Sequence, residues 1–253
     1  MLVEISVFQA VNIAIIFILL FLGFMYLESL WSFKLSKPFA WEAAIKNNLI
    51  SKKLMHIERK YKDKVRLYNF WFQVERLRND KILGAFAELG VHQGETAKIL
   101  HLMDDERKFY LFDTFDGFTK EDMAQEAHAD NRFTTTIFAN TSEEEVIEYI
   151  KGNQNIQIRP GVFPSTADGL ESELFALVHI DADLYIPTIE ALKFFYPRLN
   201  DGGVIIIHDY NHDWHGVPRA INEFIGSIPE SLIELPDWQG SAMIIKNSNK
   251  EIL

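Results

Sequence analysis

The sequence has 253 residues, of which 48% are hydrophobic and 24% are charged, and it contains no cysteine. This composition excludes a disordered, collagen-like or repeat-array protein, and the lack of thiols excludes a disulfide framework, a thiolate metal site and a cysteine nucleophile. The formal net charge of −11 argues against a general nucleic-acid-binding surface, so we expect no nucleic-acid partner.

The charge is distributed unevenly along the chain. Residues 1–80 hold 12 Lys and Arg against 7 Asp and Glu, whereas the remainder holds 13 against 29. A basic N-terminal segment therefore precedes an acidic body.

A long uncharged run lies within the N-terminal segment. No charged residue separates Glu4 from Glu28, and these 23 residues would reach about 34 Å as a helix, enough to cross a hydrocarbon core of roughly 30 Å. We therefore predict a membrane anchor over residues 1–35. A buried core helix and a cleaved signal peptide are the alternatives, although the run is apolar on every face and has no basic leader.

Positive charge follows this run and does not precede it. The flanking lysines are Lys34, Lys37, Lys46, Lys52 and Lys53. The positive-inside bias predicts a single-pass protein whose body lies in the cytoplasm. Aromatic residues in the same flank are candidates for the headgroup level of the membrane, namely Trp31, Phe33, Phe39 and Trp41.

Residues 36–80 form a basic segment whose pattern predicts helix. Two roles are open for it. Its basic side could lie against anionic lipid, where each close Lys or Arg contributes roughly 1 kcal/mol. It could equally be a helical lid packed on the body.

Short apolar runs alternate with helical patterns over residues 81–253. We predict strands near Phe86–Leu89, Phe109–Phe112, Ile156–Arg159, Leu177–Ile180, Val204–Ile207, Leu232–Leu235 and Ala242–Ile245. We predict helices near Thr96–Met103, Ser142–Lys151, Pro187–Tyr196 and Val217–Gly226. This alternation indicates a seven-stranded, mostly parallel, Rossmann-like α/β sheet with helices on both faces, and the last two strands suggest an antiparallel hairpin at one edge.

Ligands of such sheets bind beyond the carboxyl ends of the strands. The first strand ends in ELGVHQGET, where Gly90 and Gly94 permit positive φ and a close approach of the backbone to a ligand. The spacing differs from the G-x-G-x-x-G of dinucleotide folds, which disfavours an NAD(P) dehydrogenase. Glu88, the acid before the first glycine, suits a ligand with an ammonium group or hydroxyls rather than a phosphate.

The second strand ends in FDTFDGF, with Asp113 and Asp116 just past the apolar run. An acid at this position typically accepts hydrogen bonds from ribose hydroxyls. Phe112, Phe115 and Phe118 could pack around a purine, although core packing suits at least two of them.

Acids also follow the fourth and fifth predicted strands. Asp181 ends the run HID, and His208 and Asp209 end the run IHD. Neighbouring parallel strands would bring these side chains together, and carboxylates with an imidazole can hold a hard or borderline divalent cation. Asp181 could also accept a proton during catalysis; the rival bases are His179, His208, His212 and His215.

Taken together, the segments ELGVHQGETA, FDTFDGF, HIDADLYIPTIEALKFFYPRLNDGGVIIIHDY and GVPRAINEF resemble the macrocin O-methyltransferase (TylF/MycF-type) family. The resemblance runs from about Leu77 to Phe224. It implies a seven-stranded methyltransferase fold that uses S-adenosylmethionine (SAM) and methylates a hydroxyl, commonly on a sugar or glycan-like acceptor, with Mg²⁺ assistance.

The resemblance also implies roles for individual residues. The SAM site would comprise Glu88, Gly90, Val91, Gly94, Thr96, Asp113, Phe115 and Asp116. Asp113 would bind the ribose, with Phe115 and Asp116 near the adenine. The metal ligands would be Asp181, His208 and Asp209, with Asp181 also catalytic.

Two departures from the family pattern leave alternatives open. His208 stands where the family has a carboxylate, which leaves room for Mn²⁺, another divalent ion or no metal beside Mg²⁺. Gly161-Val162-Phe163 stands where the family often has Gly-Trp-Phe. The alternative function is a membrane-tethered SAM-binding or scaffolding module with weak or no catalysis, and a homo-oligomer is compatible with the sequence.

Overall fold

A computed structural model describes residues 6–32, 37–126, 134–212 and 215–247. The chain divides into two compact units, Met1–Lys64 and Val65–Leu253. The sequence predicted divisions near residues 35 and 80, and those domain limits stay a prediction.

The N-terminal unit begins with a long apolar helix, α1 (Val7–Ser32). Its stretch Val7–Leu30 is long and apolar enough to cross a membrane, and its most apolar window is not buried inside the protein. This exposure argues against a buried core helix. Because a signal sequence satisfies the same criteria of length and composition, the membrane anchor stays a prediction.

The basic segment after α1 is helical, as predicted. It contains α2 (Phe39–Lys46), α3 (Lys52–Lys60) and α4 (Lys64–Asn79). The Ser51 hydroxyl begins α3 by accepting a 3.2 Å hydrogen bond from the Leu54 N–H, which satisfies a donor of the first turn.

The structure corrects one expectation for the aromatic flank. Trp41 on α2 is buried with no exposed surface, so its predicted position at the headgroup level is wrong. Phe39 is 86% exposed and stays a candidate. Phe33 and the side chain of Trp31 lie outside the described structure.

The second unit is built on a seven-stranded sheet, as predicted. Its strands are β1 (Ala85–Leu89), β2 (Phe109–Asp113), β3 (Ile156–Pro160), β4 (Phe175–Ile180), β5 (Leu199–Ile207), β6 (Ile233–Glu234) and β7 (Ala242–Ile245). Their order in space is β3-β2-β1-β4-β5-β7-β6. The first five strands pair in parallel, and β7 runs antiparallel to both β5 and β6, which confirms the predicted antiparallel edge.

Two strands differ in length from their predictions. β5 begins at Leu199 rather than near Val204, because Leu199 already pairs with Phe175 of β4. The register with β4 then shifts before Val204 pairs with Leu177, so the Asp-Gly-Gly sequence forms an irregular, bulge-like segment in which Gly202 has a φ of +79°. β6 contains only two residues, because only these two pair with β7.

Helices cover both faces of the sheet. They are α5 (Glu95–Met103), α6 (Lys120–Ala124), α7 (Glu143–Ile150), α8 (Tyr185–Arg198) and α9 (Gly216–Ile225). All were predicted except the five-residue α6, which is too short for a periodic pattern. Every residue of the central strands β1 and β4 is buried, as expected of parallel strands packed on both sides.

Candidate active site

The register aligns the carboxyl ends of four neighbouring parallel strands. The last paired residues are Leu89 with Phe112 and with Ile180, and Ile180 with Ile207. The next residue of each strand is therefore at the same level of the sheet edge, and these residues are Gly90, Asp113, Asp181 and His208. The predicted convergence of acids from separate strands is thus present.

A cavity of about 250 Å³ opens at this edge, and all four residues line it. Asp209 lines it as well, so the predicted metal ligands and two of the predicted SAM residues share one cavity. Both polar and apolar side chains surround the opening, as in a small-molecule site.

Gly90 is required by the close approach of β4. Its φ is +87°, and a Cβ atom built there would lie 1.9 Å from the carbonyl oxygen of Asp181. Only glycine combines that backbone conformation with that contact. Gly90 therefore keeps the ends of β1 and β4 together at the cavity.

Asp113 is held rigidly by the backbone. Its Oδ2 accepts a 2.7 Å hydrogen bond from the His92 N–H, and its Oδ1 accepts one of 2.8 Å from the Phe115 N–H. A carboxylate oxygen has more than one lone pair, so both oxygens can still accept from a ligand hydroxyl. This geometry suits the predicted ribose contact.

The other predicted SAM residues do not line the cavity, and their roles stay predictions. Val91 and Thr96 are buried beside it, and Gly94 packs against α7, where a Cβ would lie 3.2 Å from the side chain of Val146. Phe115 and Asp116 lie on the turn after β2, and Asp116 is exposed. Phe118, two residues farther on, lines the cavity instead.

Glu88 belongs to a buried polar chain. It is 1% exposed, and its Oε1 lies 3.0 Å from Nδ1 of His179 on the neighbouring strand. Nε2 of His179 lies 3.0 Å from Nη2 of Arg66. Because a guanidinium can only donate, His179 accepts at Nε2 and carries its proton on Nδ1, which it donates to Glu88.

The pKa values agree with this tautomer. Burial and the neighbouring Arg66 hold the pKa of His179 well below its ordinary value, so the ring is neutral. Burial, with the nearby Asp181, raises the pKa of Glu88 well above the ordinary value. Its second oxygen, Oε2, is buried without a hydrogen-bond partner among the described residues.

Arg66 also contacts the predicted metal site. Its Nη2 donates a 2.8 Å hydrogen bond to Oδ2 of Asp181. Burial would raise the pKa of Asp181, but His208 and Arg66 lower it well below its ordinary value. Asp181 is therefore a firmly held anion and a weak base.

His208 faces two carboxylates. Its Nδ1 lies 2.9 Å from Oδ1 of Asp181 and 3.0 Å from Oδ1 of Asp209. Burial would lower the pKa of His208, yet these two acids raise it to about 10. Donor atoms of the three residues lie within 4.8 Å of one another, so together they could hold a cation.

Unsatisfied atoms in this cluster fit a bound ion. Both ring nitrogens of His208 and Oδ1 of Asp209 are buried without a well-aligned hydrogen bond in the described part of the chain. Buried polar atoms of folded proteins nearly always have a partner, and a bound cation would supply one to Asp209 and to a neutral His208. One imidazole and two carboxylates are donors that Mn²⁺ and other borderline divalent ions accept.

Asp183 completes the acidic cluster. It lines the cavity, and burial together with Asp181 and Asp209 raises its pKa well above the ordinary value. Asp183 and Asp209 both have φ of +60°, a left-handed conformation that is uncommon outside glycine and concentrates at functional sites.

Sequence reasoning missed several residues of the cavity. Arg66 was not proposed as a site residue, and His92 appeared only within the quoted segment ELGVHQGET. Asp183 appeared only within the segment that begins HIDADLY, as the second acid of its D-x-D motif, Asp181-Ala182-Asp183. That motif was a usable signal for Asp183, whereas no local pattern marks an arginine on a distant helix. Gly161, Val162 and Phe163, whose role was open, line the cavity.

The chain is similar to several known proteins. A family model described as macrocin-O-methyltransferase (TylF) matches residues 61–227. The chain is 27% identical over 186 residues to the 8-demethyl-8-(2,3-dimethoxy-alpha-L-rhamnosyl)-tetracenomycin-C 4'-O-methyltransferase of Streptomyces olivaceus, covering 64% of this chain and 70% of that protein. It is 29% identical over 158 residues to the mycinamicin III 3''-O-methyltransferase of Micromonospora griseorubida, covering 57% and 62%.

Solved structures show the same fold. The O-methyltransferase NovP superposes with a TM-score of 0.61 at 23% identity, covering 73% of this chain and 81% of that one. The calicheamicin methyltransferase CalS11 superposes with a TM-score of 0.59 at 19% identity, covering 83% and 87%.

Proposed function

The chain belongs to the macrocin O-methyltransferase (TylF) family, and from this membership we propose that it transfers the methyl group of SAM to a hydroxyl of a sugar or sugar-bearing small molecule. The observation that carries the proposal is the row of Gly90, Asp113, Asp181 and His208 along one cavity. This arrangement supports a hydroxyl-binding role for Asp113 and a cation-binding role for Asp181 and His208, because their side chains follow neighbouring strand ends.

Gly90 and Asp113 form the cofactor side of the cavity in this proposal. SAM, when bound, supplies a methyl group on a positively charged sulfur that is already activated for displacement. Asp113 is held by two backbone N–H groups, so it can accept hydrogen bonds from the ribose without rearranging.

Asp181, His208 and Asp209 form the acceptor side. These residues would hold a divalent cation, which would stabilise the negative charge developing on the acceptor oxygen. The unsatisfied atoms of His208 and Asp209 support this role. Arg66 fixes Asp181 on its other side, which leaves Oδ1 facing the cluster.

The acceptor hydroxyl must lose a proton as its oxygen bonds to the methyl carbon. The sequence favoured Asp181 as the group that takes it. In the structure Asp181 is paired with Arg66 and is a weak base, whereas Asp183 lines the same cavity and binds a proton more tightly. We therefore assign proton acceptance to Asp183 and cation binding to Asp181.

The localisation follows from α1 and its flank. In this proposal α1 spans a membrane once, and the lysines after it keep the methyltransferase unit in the cytoplasm. A tethered enzyme would meet its acceptor near the membrane surface. Protein found in the soluble fraction without detergent would contradict the anchor and leave the enzymatic proposal standing.

One observation favours a second function. Arg66 and a protonated His208 already offset the charge of Asp181, so the site does not require a cation. A site without the catalytic cation could still bind SAM. The chain would then be a tethered SAM-binding module. Turnover separates the two functions, since both bind the cofactor.

The deciding experiment follows methyl transfer from isotope-labelled SAM by the full-length protein in lipid nanodiscs. The acceptors are sugar nucleotides, lipid-linked sugars and phenols, each with Mg²⁺, Mn²⁺ or chelator. Labelled methyl on a sugar hydroxyl supports the proposal. SAM binding without transfer to any acceptor supports the binding module, and no SAM binding contradicts both functions.

A further inference from the structure

Helix α3 carries a cationic surface that the proposed reaction does not use. The exposed side chains of Lys52, Lys53, His56, Arg59 and Lys60 point away from the core of the N-terminal unit. At 3.6 residues per turn these five positions fall within an arc of about 120°, so they form one side of the helix. We refer to these five residues as the basic face.

The opposite side of α3 is buried, and the only acidic residue of the helix lies on that side. Leu54 is 2% exposed and Glu58 is 1% exposed. Lys37 pairs with Glu58 at 3.1 Å, so this carboxylate is neutralised in the interior. The charge that α3 presents outward is therefore entirely positive.

Exposed apolar and basic residues precede and follow the basic face in the sequence. Phe39 at the start of α2 is 86% exposed, and Leu49 between α2 and α3 is 72% exposed. Lys46 and Lys62 are exposed as well. Large exposed apolar side chains among cations are typical of surfaces that settle into the headgroup region of a bilayer.

The chain length keeps this surface close to α1. Ser32 ends α1 and Phe39 begins α2, so seven Cα steps separate them. A fully extended chain covers at most about 25 Å over that distance. If α1 crosses a bilayer, α2 begins within that reach of its surface.

We propose that the basic face of α3 binds the anionic phospholipid headgroups of the bilayer in which α1 is anchored. The proposal rests on the membrane anchor included in the proposed function. Charge complementarity and the exposed apolar neighbours favour a lipid surface over a nucleic acid, since the whole chain carries a net charge of −11. Within the basic segment, α3 then has the first of the two predicted roles, whereas α4 contacts Asp181 through Arg66.

Because the sequence contains no cysteine, a single introduced cysteine can be labelled specifically to test the proposal. His56→Cys introduces a unique thiol in the middle of the basic face, to which an environment-sensitive fluorophore is attached. The full-length protein is reconstituted into vesicles of phosphatidylcholine alone or of phosphatidylcholine with phosphatidylglycerol. Resistance to alkaline carbonate extraction reports the anchor, and fluorophore emission with quenching by a water-soluble quencher reports the basic face.

We expect the fluorophore to shift to shorter wavelength and to be protected from the quencher only in the vesicles that contain phosphatidylglycerol. Raising the salt from about 0.1 M to about 0.5 M should reverse both changes, because the Debye length shortens. Each cation near an anionic surface strengthens membrane contact about fivefold. The quadruple change Lys52→Gln, Lys53→Gln, Arg59→Gln and Lys60→Gln should therefore weaken this contact about 600-fold, nearly three orders of magnitude.

The matched control removes four exposed lysines from the second unit, at Lys81, Lys108, Lys151 and Lys193, and should leave the signal unchanged. An anchored protein whose fluorophore responds equally in both vesicles overturns the proposal but leaves the anchor intact. A response to added RNA or to a soluble protein, but not to anionic lipid, also overturns it. If carbonate extracts the protein but its fluorophore still responds to anionic lipid, the result supports lipid binding by the basic face and contradicts the membrane anchor.

Discussion

Arg66 and Asp181 are 115 residues apart in the sequence and joined by a 2.8 Å hydrogen bond at the floor of the cavity. The same Arg66 nitrogen lies 3.0 Å from His179, which in turn contacts Glu88. This chain of contacts connects α4 with β4 and β1. It fixes the orientation of Asp181 and favours its ionised form, which supports the proposal that its neighbour Asp183 accepts the proton.

The first prediction removes the guanidinium. Arg66→Gln should destabilise the protein by roughly 1.5–3 kcal/mol, because a hydrogen bond to a buried charge is lost. It should also raise the pKa of Asp181 toward its ordinary range. Urea unfolding measures the stability, and carboxyl titration followed by NMR measures the pKa.

Arg78 is the matched control, since it lies on the same helix but its side chain is 48% exposed. Arg78→Gln removes a surface pair with Glu75, for which about 0–1 kcal/mol is expected, and a 2.8 Å hydrogen bond from Nη2 to the Met103 carbonyl oxygen. That neutral acceptor contributes less than the charged Asp181 carboxylate does at Arg66, so the total loss should be smaller. Equal destabilisation by both changes would contradict the special position of Arg66.

The second prediction separates the two acids of the D-x-D motif. Asp183→Asn should lower kcat by roughly 10²–10⁴-fold, the usual contribution of a general base, with little change in cation affinity. Asp181→Asn should weaken cation binding, and the loss of activity should follow from that weaker binding. Since the pKa of Asp183 is raised, the rate of the unmodified enzyme should rise with pH as this carboxyl loses its proton. If the Asp183→Asn enzyme keeps its full kcat, Asp183 is not the proton acceptor and Asp181 is the remaining candidate.

The third prediction concerns the cofactor. Asp113→Asn should weaken SAM binding by roughly 1–1.5 kcal/mol, because a charge-assisted hydrogen bond becomes a neutral one. Isothermal calorimetry measures the affinity. Asp116→Asn is the comparison, and we expect little change there, since that side chain is exposed and does not line the cavity. Unchanged affinity with lower thermal stability in Asp113→Asn would indicate a purely structural carboxylate.

The sequence was sufficient to predict the strand ends of the site. An apolar run followed by an acid is a local pattern, and parallel pairing brings such ends to one edge. Asp113, Asp181, His208 and Asp209 were found in this way. The same pattern located Glu88, but could not show that this carboxylate points to His179 rather than into the cavity.

The geometry of the turns and the contacts between distant segments could not be predicted from the sequence. After β2 the backbone takes positive φ at Phe115 and Gly117, which brings Thr114 and Phe118 to the cavity in place of Phe115 and Asp116. Arg66 reaches the site from a helix that the sequence assigned to lipid or to a lid. Neither feature has a local pattern, since both depend on how separate segments pack.

The fourth prediction concerns acid sensitivity. Burial lowers the pKa of His101 from 6.5, although Asp105 and Asp104 partly oppose this. The unfolded chain therefore binds a proton that the folded chain resists, and stability is lost as pH falls from the unfolded pKa toward the lower folded one. His101→Gln should lose less stability than the unmodified protein between about pH 7.5 and pH 5.5. Equal losses in urea unfolding would contradict the assignment.

The last prediction concerns the cation and the proton of His208. An ordinary imidazole would be neutral above pH 6.5, but Asp181 and Asp209 raise the pKa of His208 to about 10. A metal ligand must be deprotonated, so cation binding at neutral pH should release one proton, and affinity should rise roughly tenfold per pH unit below that pKa. Calorimetry with Mn²⁺ and Mg²⁺ in buffers of different ionisation enthalpy measures the released proton directly.

His208→Asp supplies the control for this prediction. A carboxylate there is already ionised at neutral pH, so binding should release almost no proton, and three oxygen donors should shift the preference from Mn²⁺ toward Mg²⁺. Asp209→Asn should weaken binding of both ions and leave SAM affinity largely intact. Full methyl transfer in excess chelator would contradict the cation site, and the positive charges of Arg66 and protonated His208 would then have to stabilise the acceptor oxygen alone.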